Sequence, residues 1–166
     1  MGFPSHRDIE ANFGASPGRA NGVDLMPDRV IEAHARLPHL PLVCADGQHL
    51  PYPDQTFDLV VQYTAFSSIL DSAVKAHIAR EMLRVIREKN GFILWYDFWL
   101  NPTNAQTKGI GIKEIKHLFP TCQYSIRRIT LAPPLARRLV PLSWGAAEVL
   151  ENFRLFNSHY LIAIRP

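Results

Sequence analysis

Ala45-Asp46-Gly47-Gln48-His49-Leu50-Pro51-Tyr52-Pro53-Asp54-Gln55-Thr56-Phe57-Asp58-Leu59-Val60 is the stretch on which the fold turns. An apolar run, Pro41–Ala45, leads into it and stops at the acidic Asp46. Gly47, Pro51, Pro53 and Asp54 then punctuate a loop, because glycine and proline favour turns over regular elements. The chain re-enters an apolar run at Phe57–Tyr63, whose near-continuous hydrophobicity predicts a strand covered on both sheet faces. Two strands joined by a proline-rich loop, the first closing on a carboxylate, frame the reading of everything around them.

Upstream, Ala20–Leu25 is a brief strand candidate that carries Asp24 near its end. Pro27–Arg36 reads as a helix. Pro27 stands in the first turn, where a missing N–H does no harm, and Val30, Ile31 and Ala35 form its apolar set. Downstream, Asp71 or Ser72 caps a helix that runs to about Lys89. Its stripe is Val74, Ile78, Met82, Val85 and Ile86, and basic residues crowd the end before Asn90-Gly91. Phe92–Phe98 is a fourth strand. Gly111–Leu118 is a short helix, Tyr124–Leu131 alternates like a strand, Pro134–Leu139 and Ser143–Phe153 are proline-interrupted helices, and Tyr160–Ile164 closes the chain as a strand. The last two strands are expected to pair antiparallel at a sheet edge. Strand alternating with helix is the grammar of an α/β sheet, mostly parallel, with helices on both faces.

Length and composition fit a single globular domain spanning 1–166: 47% of residues are hydrophobic and 20% charged. No apolar run approaches the roughly 18 residues of a membrane span, so no membrane partner is expected. The N-terminus lacks the basic and apolar regions of a secretory leader, and His6 stands where N-myristoylation needs Ser or Thr. The net charge of +3 is mild. Arg80–Lys89 interleaves with Glu81 and Glu88, while Arg127-Arg128 and Arg137-Arg138 are doublets without interleaved aromatics, so no nucleic-acid partner is expected. Two distant cysteines, Cys44 and Cys122, imply reduced thiols and a cytoplasmic setting. The seven histidines show no ligand spacing, and no metal is expected. Nothing in the sequence constrains the oligomeric state.

In an open α/β sheet, ligands bind beyond the carboxyl ends of the strands. Asp24 and Asp46 both stand at such ends. A carboxylate there can accept from a ribose diol, another from the exocyclic amine of a purine, with Leu25 and Met26 as an apolar wall for the base. The plainer reading is that each aspartate caps the turn or helix that follows it.

The quoted stretch is similar to the "D-A-x-x-L-P-F-P-D-x-S-F-D-x-V" segment of class I S-adenosylmethionine-dependent methyltransferases. Gly22-Val23-Asp24-Leu25-Met26-Pro27-Asp28-Arg29-Val30 looks like that family's second strand and following helix. Arg80-Glu81-Met82-Leu83-Arg84-Val85-Ile86-Arg87-Glu88-Lys89-Asn90-Gly91 resembles its "E-x-x-R-V-L-K-P-G-G" helix end, with Lys89-Asn90-Gly91 in place of Pro-Gly-Gly. These segments run in family order from Gly22 to Phe98 and lie closest to the small-molecule branch labelled type 11. The resemblance implies a Rossmann-like sheet with helices on both faces, S-adenosylmethionine as cofactor and a small-molecule acceptor. It implies that Asp24 binds the ribose hydroxyls, Leu25 and Met26 pack on adenine, and Asp46 and the Gly47 backbone read its amine edge. Gln62, Tyr63 and Thr64 would lie near the methionine part or the reacting methyl. Tyr96 and Asp97 would face the site mouth and touch the acceptor. No catalytic residue is singled out, because methyl transfer asks mainly for proximity and alignment.

One departure is plain. The family's D/E-x-G-x-G-x-G loop is not found: Gly14-Ala15-Ser16-Pro17-Gly18 has the wrong spacing and a proline, and Gly109-Ile110-Gly111 falls late, before an ordinary helix. Arg7 to Phe13 reads as the end of the helix that follows that loop, so the chain is expected to start inside the first helix, without the first strand and glycine loop. That strand is central in the family's sheet, and its loss would leave unpaired ladders on its two neighbours. Weak or no cofactor binding is the expectation for this polypeptide. The alternative function is a non-catalytic truncated homologue that acts through a partner. A nicotinamide-dependent oxidoreductase would need a G-x-G-x-x-G turn ahead of Asp24, which is likewise absent.

Overall fold

The computed structural model describes residues 19–100, 107–153 and 156–166. The Arg7–Phe13 helix end and the Gly14–Gly18 stretch therefore lie outside the described residues. The chain divides into two compact units, Met1–Pro51 and Tyr52–Pro166.

In the first unit, β1 (Gly22–Asp24) and β2 (Leu42–Cys44) pair parallel, with Gly22 opposite Leu42 and Asp24 opposite Cys44. They are linked by α1 (Pro27–Arg36), whose bounds match the sequence reading. Pro27 opens it, Asp28 stands in its first turn, and His34 and Arg36 stand in its last, where the helix dipole favours each sign. No residue of α1 is buried, and Ile31 of its apolar set is 68% exposed.

The second unit holds β3 (Leu59–Tyr63), α2 (Ser72–Val85), β4 (Phe92–Phe98), α3 (Ile112–Leu118), β5 (Gln123–Leu131), α4 (Pro133–Leu139), α5 (Trp144–Asn152) and β6 (Asn157–Arg165). Its sheet order is β3-β4-β6-β5, with β3 and β4 parallel and β6 antiparallel to both neighbours. The expected antiparallel pair is present, with β5 at the edge and β6 inside. One face of this sheet carries the core. Ile93 and Trp95 of β4 and Ile162 and Ile164 of β6 pack with Ala79 and Met82 of α2, Ile115 and Leu118 of α3, and Phe66 and Phe119.

Three expectations change. The long helix stops at Val85 rather than Lys89, because Ile86 is extended and forms a bridge with Phe57. Arg87 N–H then donates to Phe57 O at 2.9 Å. A tertiary backbone pairing outcompetes the last helical turn. The buried stripe is Lys75, Ala79, Met82 and Val85, one residue round from the stripe read off the sequence at Val74 and Ile78. Finally, β3 is not covered on both faces: Leu59, Val61 and Tyr63 are 44%, 57% and 51% exposed. Among the described residues β1 has β2 as its strand partner and β3 has β4, and the strands form two separate sheets.

Candidate functional site

Two arginines hold the loop quoted at the outset: Arg87 bonds Gln55 O and Asp58 Oδ1, and Arg84 makes the larger network. Arg84 of α2 donates from Nη1 to Tyr52 O and to Asp54 Oδ1, both at 2.8 Å, and grips both oxygens of Glu81 at 2.7 Å. Asp54, Glu81 and Arg84 are motif residues of two segments about thirty positions apart, and this network is what joins those segments. The bonds to Glu81 and then Asp54 favour the charged guanidinium and raise its pKa. Tyr52 lies edge-on to Phe57 at 4.9 Å between ring centres, anchoring the far end of the loop.

In the first unit, parallel pairing places Asp24 and Asp46 at neighbouring strand ends, and Ala45 N–H donates to Asp24 O at 3.1 Å. Asp24 Oδ1 accepts from Met26 N–H at 2.8 Å, so the turn-forming role is real. Its Oδ2 has a distant neighbour in Arg29 Nη1 at 3.9 Å, and the side chain is 40% exposed. One carboxylate oxygen therefore remains for a ribose hydroxyl. Asp46 is more occupied: Oδ1 accepts from Gln48 N–H at 2.9 Å and Oδ2 from Gln48 Nε2 at 3.0 Å. Each oxygen retains a second acceptor lone pair. Leu25 and Met26 are 64% and 49% exposed, available as an apolar wall. Gly47 lies in the turn beside Asp46. Two accepting carboxylates beside an exposed apolar wall could hold an adenosine moiety.

In the second unit the carboxyl ends of β3 and β4 meet the start of β6, with Phe98 opposite His159. Strand alternation splits the expected site residues between two faces. Gln62 and Asp97 turn inward and are 4% and 0% exposed. Asp97 accepts from Gln62 Nε2 at 2.9 Å, Ser67 N–H at 3.1 Å and Phe98 N–H at 2.8 Å. This corrects the expectation that Asp97 faces the site mouth: three donors satisfy a carboxylate that has no contact with solvent. Gln62 likewise points at Asp97 rather than outward, with its Oε1 buried and without a hydrogen bond.

Tyr63 and Tyr96 lie on the outer face, stacked at 4.7 Å. Tyr96 stacks in turn on His159 at 4.8 Å, and Phe98 closes on the same imidazole at 4.0 Å. Tyr96 Oη and Thr130 Oγ1 share a hydrogen bond at 2.9 Å. Burial lowers the His159 pKa against the opposing charge of Asp97, and Nδ1 and Ser158 Oγ share a hydrogen bond at 3.0 Å. Burial, more than any neighbouring charge, raises the pKa of the Tyr96 phenol. Thr64 follows in the left-handed region at φ 51°, with its N–H bonded to Tyr96 O at 2.8 Å. Sequence reasoning misses His159 and Thr130 because side chains from different strands meet only through register; the expected start of the final strand, Tyr160, is three residues later than the observed Asn157.

Among the described residues no cluster of three or more His, Cys, Asp or Glu side chains gathers as metal ligands, and no helix is long and apolar enough to cross a membrane.

The order of elements and the sheet pattern are those of a class I methyltransferase. The sequence matches the methyltransferase-domain family, type 11, over residues 6–94, more than half of the chain's 166 residues, and the chain belongs to that family. S-adenosylmethionine is the cofactor of this class. A S-adenosylmethionine-dependent methyltransferase from Archaeoglobus fulgidus superposes with a TM-score of 0.65 at 14% identity, over 95% of this chain and 79% of that one. One from Mesorhizobium loti gives 0.62 at 13%, over 90% and 81%. A Pyrococcus horikoshii protein gives 0.64 at 13%, over 89% and 71%. Identities this low speak to the fold. No curated protein matches the chain.

Proposed function

We propose that this chain is a S-adenosylmethionine-dependent methyltransferase acting on a small-molecule acceptor in the cytoplasm. The observation that carries the reading is the pair of carboxylates, Asp24 and Asp46, at adjacent parallel strand ends in a chain of this family. Asp24 Oδ2 would take the ribose hydroxyls, Leu25 and Met26 the adenine face, and Asp46 with the Gly47 backbone its amine edge. Tyr63 and Thr64 would border the methionine part, and Tyr96 the acceptor. Gln62 and Asp97 act from behind, as positioning residues that tie the ends of β3 and β4 together. The sulfonium supplies the electrophilic methyl; the residues of this chain supply orientation and exclusion of water. The two units count as parts of one domain, 1–166, a view supported by a family match that runs across Pro51 and Tyr52. Free Cys44 and Cys122 support a reducing compartment.

Calorimetric titration with S-adenosylmethionine tests the reading. Asp24→Ala should weaken binding about tenfold, through loss of a charged acceptor. An unchanged Kd in Asp24→Ala would overturn the site, and no binding by the parent chain would favour the second reading, a non-catalytic homologue working through a partner.

A further inference from the structure

Between β5 and β6 the chain makes a helical excursion, α4 then α5, whose tip is the turn Val140-Pro141-Leu142-Ser143-Trp144. Turn residues are usually polar, yet Val140, Leu142 and Trp144 are 43%, 82% and 61% exposed. Leu142 is the most exposed large hydrophobic side chain among the described residues. The tip also has few backbone donors to lose. Val140 N–H donates to Ala136 O at 3.0 Å, and Leu142 and Ser143 N–H both donate to Leu139 O at 3.0 and 2.8 Å. Pro141 has no donor, and Ser143 Oγ caps α5 by accepting from Ala146 N–H at 3.2 Å. Such a turn can enter an apolar medium without stranding these amides, the main obstacle to burying a loop.

Charge supplies the third observation. From Leu131 to Ala147 the ionisable residues are Arg137 and Arg138, at the end of α4 beside the tip, and both are exposed. Neither has an ion pair among the described residues. An apolar tip with a tryptophan, preceded by two exposed arginines and with its first acid, Glu148, one turn into α5, matches the interfacial layer of an anionic bilayer. Three side chains offer far less than the roughly 800 Å² per partner of a stable protein interface.

We propose that the α4–α5 turn is a membrane-surface anchor. Leu142 and Trp144 enter the headgroup–acyl boundary of an anionic bilayer, and Arg137 and Arg138 lie along its phosphates. This differs from spanning a membrane and does not depend on cofactor binding.

The test is co-sedimentation of the full chain with vesicles of phosphatidylglycerol and phosphatidylcholine, against vesicles of phosphatidylcholine alone. Binding should favour the anionic vesicles and fall as salt rises. Arg137→Gln and Arg138→Gln should each weaken it about fivefold, and Leu142→Asp tenfold or more. Trp144 emission should shift to the blue on binding; Trp144→Phe should abolish the shift while most binding remains. Circular dichroism of Leu142→Asp, a substitution at an exposed site, checks that the variant is folded. The proposal is overturned by no partitioning, by indifference to lipid charge, or by equal binding of a folded Leu142→Asp chain. A dimer in sedimentation analysis that Leu142→Asp dissolves would assign the tip to a second copy instead.

Discussion

Lys75 shows how far a single side chain can depart from its sequence pattern. It lies on the buried stripe of α2, its side chain 3% exposed, with Nζ 2.8 Å from Glu114 Oε1 of α3, whose side chain is 35% exposed. An ammonium removed from water needs a partner, and Glu114 is the one found here. Removing that partner strands the charge, whereas replacing the lysine with a shape-matched apolar residue removes the need for a partner. Glu114→Gln should therefore lower stability by about 2 kcal/mol, below the cost of breaking a fully buried pair because Glu114 is partly hydrated. Lys75→Met should be neutral or stabilising, and urea melts of the two variants decide between them. A one-residue rotation of the stripe was beyond the sequence, since Ile78 outranks Lys75 on any hydrophobicity scale. Asp97 repeats the lesson: it looks like a site carboxylate until Gln62, Ser67 and Phe98 are seen to satisfy it.

Helix α2 joins the two motif segments, and its ends have different kinds of cause. The start is local. Asp71 accepts from Ala73 N–H at 2.7 Å and Val74 N–H at 3.4 Å, so Asp71→Ala should cost about 1 kcal/mol, read as a lower thermal midpoint. The cap was legible because an aspartate before an apolar-periodic run suffices to mark it. The end is not local, since only Phe57 makes extended backbone at Ile86 preferable to another turn. The same contrast holds for the Leu50–Asp54 loop. Its prolines announced a loop, but its fastening to Arg84 and Glu81 depends on two elements packing in register.

Across the whole molecule the apolar burial is uneven. Every residue of the core cluster, from Phe66 to Ile164, belongs to the unit Tyr52–Pro166. In the other unit α1 buries nothing, and Val23, Leu25, Met26 and Ile31 are exposed. Amides protected by deep burial open only with global unfolding, while thinly packed elements open locally. Native-state hydrogen exchange should find β4 and β6 slowest, with β1, α1 and β2 exchanging at least about a hundredfold faster. Equal protection in both units would show that the first is stabilised by more than its own contacts.

Local chemistry carried a large part of this protein into view. Periodicity, proline and glycine marked nearly every element, and α1 and β4 were bounded to the residue. Motif order pointed to the methyltransferase family, and the strand-end aspartates were visible because a strand's end and its carboxylate are adjacent in sequence. Tertiary structure decided what distance along the chain conceals. It set which face of β3 and β4 each side chain takes, so that Gln62 and Asp97 meet inside while Tyr63, Tyr96 and His159 stack outside. It also set the division into two sheets. Both follow from strand register and pairing, which are free energies of contact between segments that no local pattern encodes.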